Sequence, residues 1–133
     1  MKVLVDTSVW SLALRRKNIS DDEIRVVSKL EELVLDVRVV MLGIIRQELL
    51  SGISDAAQFE RLKDNLSIFE DEMVVPEDYV VAAKFYNTCR ARGTQGSAVD
   101  YLICALAARG QWEIFTTDKD FIHYANHLPI RLY

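Results

Sequence analysis

Residues 2–10, KVLVDTSVW, join a short apolar run to an acid and two hydroxyls. A run as apolar as Val3-Leu4-Val5, bounded by polar residues, reads as a strand buried on both faces. Such strands belong to parallel sheets covered by helices. Asp6 then stands at the strand's carboxyl end. Open α/β sheets bind ligands at that end, but an ordinary helix wants an N-cap there as well. Taken alone, the run leaves both roles open.

Reading outward from this strand, Ser8 to Lys17 is predicted helical. Ser20 with Glu23 makes a capping box ahead of Val26, Val27, Leu30, Leu33 and Val34, which share one helical face. A second strand is expected at about Arg38 to Leu42, then a short helix from Gly43 to Ser51 closed by Gly52. Another helix, Asp55 to Asn65, is capped by Asp55 and Gln58. A weak strand is expected near Met73 to Val75. Pro76 opens a helix with Tyr79, Ala82, Ala83 and Tyr86 on one side, ending at Gly93. Ser97 to Arg109 is apolar nearly all round, which predicts a buried helix stopped by Gly110. A strand (Glu113 to Thr116), a helix (Asp118 to His127) and a last strand (Ile130 to Leu132) complete the pattern. Strands alternating with helices predict an α/β fold, a three-layer α/β/α sandwich with a central, mostly parallel sheet.

The chain has 133 residues, few Gly or Pro, and no repeat or linker-like stretch, so residues 1–133 are expected to form one domain. A domain of this size buries roughly 68% of its unfolded surface, enough for a core without staples. The two cysteines, Cys89 and Cys104, lie far apart in helix-like stretches and suit reduced, buried thiols in a cytoplasm. No leader is legible before Asp6, and the longest apolar stretch, Tyr101 to Ala108, is too short to span a bilayer. The net charge of −4 argues against broad electrostatic coating of nucleic acid. It leaves room for a local basic patch: Arg15-Arg16-Lys17, a candidate for substrate binding, is one and Arg90 with Arg92 another, although each also reads as a solvated helix end. His123 and His127, at i and i+4, lack the Glu of a zinc helix and read as surface residues.

Four acids occupy unusual positions. At about 100° per residue, Glu48 projects between Ile44 and Ile45, which predicts an inward-facing carboxylate. Asp100 heads VDYLICALAA, where the next charge is Arg109, although Ser97 and Asp100 also have the form of a capping box. Asp118 follows the strand EIFT and has a cap reading too, as does Asp6 through Thr7 and Ser8; Thr117 with Asp120 resembles a further box. Each signal is weak singly, but two acids ending strands, one heading a buried helix and one on an inward face are expected to share a crevice in a parallel sheet. Unpaired carboxylates so placed repel one another unless a cation sits among them. All-oxygen ligation selects Mg²⁺ or Mn²⁺ rather than zinc.

In that order, VDTSVW, Glu48 in IIRQELLSG, Asp100 in SAVDYLICALAA and FTTDKDF resemble the PIN-domain ribonucleases, and closely the VapC toxins of bacterial and archaeal toxin-antitoxin pairs. The resemblance runs over essentially the whole chain. It implies a PIN-like fold in which Asp6, Glu48, Asp100 and Asp118 bind one or two Mg²⁺ or Mn²⁺ ions, with Asp120 in second rank. Thr116 would orient a carboxylate or a water, with Thr7 or Ser8 helping after the first strand. A VapB-like antitoxin, a homodimer and a single-stranded or loop RNA substrate are implied as partners. A PIN-like module that binds protein or RNA without turnover is the alternative from another class, which the ligands alone do not distinguish.

Overall fold

The computed structural model describes residues 1–14 and 18–133. Three strands, β1 (Val3–Val5), β2 (Val39–Val40) and β3 (Glu113–Phe115), form a parallel sheet in the order β2-β1-β3. The helices are α1 (Thr7–Leu14), α2 (Asp21–Leu35), α3 (Gly43–Leu50), α4 (Ala56–Leu66), α5 (Pro76–Ala91), α6 (Ala98–Gly110) and α7 (Asp120–Ala125). The expected alternation is present and the fold is α/β. All three residues of β1 are buried, so the opening run is uniformly apolar because it is the middle strand in the order. The chain divides into two compact units, Val5–Glu72 and Met1–Leu4 with Met73–Tyr133.

In the Val5–Glu72 unit, α1 buries Val9, Trp10 and Leu12, and α2 turns Leu30 and Leu33 inward. The box that starts α2 is complete: the Glu23 amide donates to Ser20 Oγ (3.2 Å) and the Ser20 amide to Glu23 Oε1 (3.0 Å). Asp55 caps α4 by accepting from the Gln58 amide at 2.9 Å. Arg46 of α3 gathers the segment after α4. Its guanidinium donates to the carbonyls of Leu66 (2.8 Å) and Phe69 (2.6 Å) and to Asp71 Oδ1 (2.8 Å). A cation there binds the last carbonyl of α4 and one just beyond it, at the negative end of the helix dipole. Phe69 meets Trp10 edge-on with ring centres 5.3 Å apart.

In the other unit α5 packs along α6. The buried Asp78 receives Arg109 Nε at 2.7 Å and Nη2 at 3.0 Å, and the Val75 amide at 2.9 Å. The hydrogen-bonded guanidinium holds its carboxyl below the usual carboxylate range, against the effect of burial. Tyr86, Tyr101, Tyr124 and Phe121 make a ladder of ring contacts with centres 5.1 to 5.6 Å apart. Burial, then the Cys89 thiol, pushes the Tyr101 hydroxyl up to about 12. Cys89 and Cys104 are both buried and outside any disulfide, as expected.

The structure corrects several expectations. No strand forms at Met73 to Val75: the Met73 carbonyl accepts from Arg109, and the Val75 amide serves Asp78. The pairing lies earlier, in a parallel bridge between Met41 and Asp71. Ile130 to Leu132 supplies one bridge, Ile114 to Leu132, rather than a strand. The inward side of α5 is Asp78, Ala82 and Cys89, whereas Tyr79, Ala83 and Tyr86 are exposed, a rotation of about one residue that the Asp78 pair imposes. α6 ends at Gly110 with Gln111 left-handed (φ 57°), and the Trp112 indole fills the place a Gly110 Cβ would take. α1 is described to Leu14, so the expected extension over Arg15, Arg16 and Lys17 lies outside the described residues.

Asp78 is buried while the Arg109 side chain is 44% exposed, so Asp78→Ala or Arg109→Ala is expected to lower unfolding free energy by about 2 kcal/mol at pH 7. Because the folded Asp78 carboxyl lies below its unfolded value, the unfolded chain takes up the proton first. The contribution is present above pH ~4 and fades as pH falls below it. Urea melts from pH 7 to pH 3 check both points; the parent should lose stability more steeply with acid than Asp78→Asn.

Candidate active site

Asp6 follows β1 directly and is buried, with 7% of its surface exposed. Its carboxylate accepts from Ser8 Oγ at 2.8 Å and from the Ser8 amide at 3.4 Å, while its carbonyl accepts from the Val9 and Trp10 amides. The two readings of Asp6 therefore coexist: it starts α1 and still presents a carboxylate oriented by a hydroxyl. Thr7, next along, donates to Glu48 Oε1 at 2.9 Å. Glu48 itself is exposed, not inward-facing. The buried stripe of α3 is Ile45 and Leu49, and Glu48 borders it, one turn after Ile45.

In the Met1–Leu4, Met73–Tyr133 unit, Asp100, Asp118 and Asp120 each offer a carboxylate oxygen within 4.8 Å of the others. Asp120, ranked second on sequence, stands beside the two acids ranked first. Ser97 Oγ accepts from the Asp100 amide at 3.1 Å, so the α6 cap is supplied by Ser97. The Asp100 carboxylate accepts from the Tyr124 hydroxyl at 2.7 Å. Thr116 Oγ1 accepts from the Asp118 amide at 3.0 Å, and Asp118 Oδ1 from the Asp120 amide at 2.9 Å, which shapes the turn into α7. The residue before α7 is Lys119, without a side-chain cap bond, so the expected Thr117–Asp120 box is not what starts this helix. His123 is exposed, His127 half-buried, and neither joins the acids.

Tyr124 escaped the sequence reading. It is fully buried, between the rings of Tyr101 and Phe121, and ties α7 to the first turn of α6. Burial first, and then its bond to Asp100, raises its hydroxyl well above the ordinary phenol range, so it remains a donor. Its position one turn after Asp120 was the available signal, since residues i and i+4 share a helix face. The basic run Arg15, Arg16 and Lys17 lies outside the described residues.

Three carboxylates this close repel one another, and a cation relieves the repulsion. Asp100, Asp118 and Asp120 could hold such an ion. With oxygen donors only, the set fits a hard divalent ion such as Mg²⁺ or Mn²⁺ and lacks the nitrogen or sulfur that zinc prefers.

A model of the PIN domain family matches residues 3–127. Among solved structures, the chain is similar to FitAcB from Neisseria gonorrhoeae, with a TM-score of 0.76 and 22% identity over 98% of this chain and 96% of that one. It is also similar to FitAB bound to an IR36 DNA fragment (TM-score 0.79, 21% identity, 98% and 93% covered). VapBC2 from Rickettsia felis, bound to a DNA fragment from their promoter, gives a TM-score of 0.77 at 18% identity, with 100% and 98% covered. At these identities the likeness establishes a shared fold. A comparison with curated proteins finds no match.

Tyr124→Phe keeps the ring and removes the donor that orients Asp100. Outer hydrogen bonds of this kind are typically worth 10- to 100-fold in metal affinity. The variant should remain folded and need about tenfold more Mg²⁺ for the same rise in melting temperature, read by thermal melts in matched ionic strength.

Proposed function

The chain belongs to the PIN domain family, and from that premise we propose that it is a metal-dependent endoribonuclease that cleaves single-stranded or loop RNA as the toxin of a VapBC-type toxin-antitoxin pair. Proteins of this family are generally nucleases. The observation that carries the reading is the meeting of Asp100, Asp118 and Asp120 within 4.8 Å in such a chain.

The reading assigns metal binding to Asp6, Glu48, Asp100 and Asp118, with Asp120 in second rank, and one or two Mg²⁺ or Mn²⁺ ions as cofactor. A divalent ion bound there supplies Lewis acidity toward a phosphodiester. The protein's own part is orientation. Ser8, Thr7 and Tyr124 hold the carboxylates of Asp6, Glu48 and Asp100 by hydroxyl donors, and Thr116 fixes the turn that carries Asp118. Each of these hydroxyl donors orients a carboxylate while adding no opposite charge of its own. Without the cation, the acids repel an anionic substrate; Arg15, Arg16 and Lys17 are the proposed basic rim that draws it in.

A VapB-like antitoxin as partner is supported by the similar structures, which include FitAB and VapBC2 bound to DNA. We further propose a homodimer, cytoplasmic placement, and action of residues 1–133 as one domain, which accords with a family match running through both units. Among the described residues no helix is long and apolar enough to cross a membrane.

Incubation of the purified protein with a structured RNA pool should give cleavage in Mg²⁺ or Mn²⁺ and none in EDTA. Asp6→Ala and Asp118→Ala should each reduce the rate by on the order of 10²-fold or more. Expression without an antitoxin should arrest growth. Soluble accumulation with normal growth and no cleaved RNA ends would overturn the nuclease reading in favour of a silent binding module.

A further inference from the structure

A cavity of about 230 Å³ lies where α5 ends, lined by Tyr86, Arg90, Thr94, Gln95 and Gly96. Its walls are built. The Gly93 amide donates to the Arg90 carbonyl (3.1 Å) and the Thr94 amide to the Cys89 carbonyl (2.9 Å), the paired closing bonds of a Schellman turn, so the loop that carries Thr94 and Gln95 is fixed by the helix itself. Arg90 Nη1 donates to the Tyr86 hydroxyl at 2.8 Å, and its guanidinium lies 5.9 Å from the centre of that ring. Among the described residues this cation is thus held by an aromatic hydroxyl, which orients it and leaves its charge intact.

The cavity adjoins the acids through Gly96. A Cβ on this residue would stand 2.4 Å from the Tyr124 hydroxyl and 2.8 Å from that of Tyr101. The loop backbone therefore lies directly on the hydroxyl that donates to Asp100. The Tyr86 ring, 37% of whose residue surface is exposed, also packs edge-on against Tyr101, the residue after Asp100. A part-exposed aromatic ring, a guanidinium held by a hydroxyl, and the polar side chains of Thr94 and Gln95, one hydroxyl away from a carboxylate cluster, are the parts a single-stranded nucleotide needs. Stacking takes the base, the cation takes a phosphate, and hydroxyl and amide groups read the base edge.

We propose that this cavity is a subsite for one nucleotide of single-stranded RNA flanking the cleaved phosphodiester, with the base on Tyr86, the phosphate on Arg90, and Thr94 and Gln95 at the base edge. The assignment rests on the ribonuclease reading above, and makes Tyr86 and Arg90 substrate-binding residues that contribute affinity and sequence preference without joining the acids.

The test is steady-state cleavage in Mg²⁺ of short single-stranded RNAs that differ in the nucleotide beside the cut, by the parent, Tyr86→Phe, Tyr86→Leu and Arg90→Gln, with melting temperatures as a fold control. Loss of stacking predicts about a tenfold rise in KM for Tyr86→Leu with kcat within about twofold, and a flattened nucleotide preference. Tyr86→Phe, which keeps the ring but removes the hydroxyl that holds Arg90, should raise KM less than Tyr86→Leu and keep the nucleotide preference. Arg90→Gln should raise KM and make it less sensitive to salt. If the parent cleaves and all variants share its KM and preference, the subsite is overturned while the ribonuclease reading stands. A fall in kcat at unchanged KM also overturns it, by placing these residues in the chemistry. If the parent cleaves nothing, the ribonuclease reading falls and the subsite is judged on binding of a fluorescein-labelled single-stranded RNA by anisotropy: tenfold weaker binding by Tyr86→Leu supports it, equal binding overturns it.

Discussion

Asp78 is a carboxylate inside the fold, and a charge there persists only with a full set of partners. Arg109 near the C-terminus of α6 and the Val75 amide before α5 supply them. With Arg109 meeting the start of α5 and Tyr101, near the start of α6, meeting Tyr86 further along, the two helices run antiparallel. The requirement also chooses the buried face of α5. Once Asp78 points inward, Ala82 and Cys89 follow at helical spacing, while Tyr79, Tyr86 and Arg90 turn to solvent. It consumes backbone groups as well, since the Met73 carbonyl and Val75 amide that a strand would offer to a ladder serve the pair instead.

The acids divide by the chemistry that holds them. Asp71 and Asp78 accept from guanidinium groups and organise the chain around themselves. Asp6, Glu48 and Asp100 accept from the hydroxyls of Ser8, Thr7 and Tyr124. A guanidinium satisfies a carboxylate and cancels its charge; a hydroxyl aims it and leaves the charge in place. Burial does not separate the two groups, for Asp6 and Asp78 are both buried while Glu48 is exposed.

Tyr124 links the aromatic core to this chemistry. Its ring is held by Tyr101 and Phe121, and its hydroxyl reaches Asp100 under the backbone of Gly96. Packing density makes such a donor precise: a ring fixed on two sides has one place to put its oxygen.

What could be read from the sequence alone is what short-range physics decides. The apolar run of β1, the reciprocal box of Ser20 and Glu23, the Asp55 cap and the strand-helix alternation all stand in the structure, because each depends on neighbours within a few residues. Asp6, Asp118 and the hydroxyls Thr7, Ser8 and Thr116 were legible for the same reason, as polar residues placed just beyond strands. Periodicity could not choose the buried face of α5 or expose Glu48, since a 3.6-residue repeat tolerates a turn of one residue and only a partner on another element fixes it. Nor could it bring Asp120 beside Asp100, or Tyr124 to Asp100 across 24 positions. Those contacts were decided by tertiary structure, because they exist only once α6 and α7 are packed through their rings.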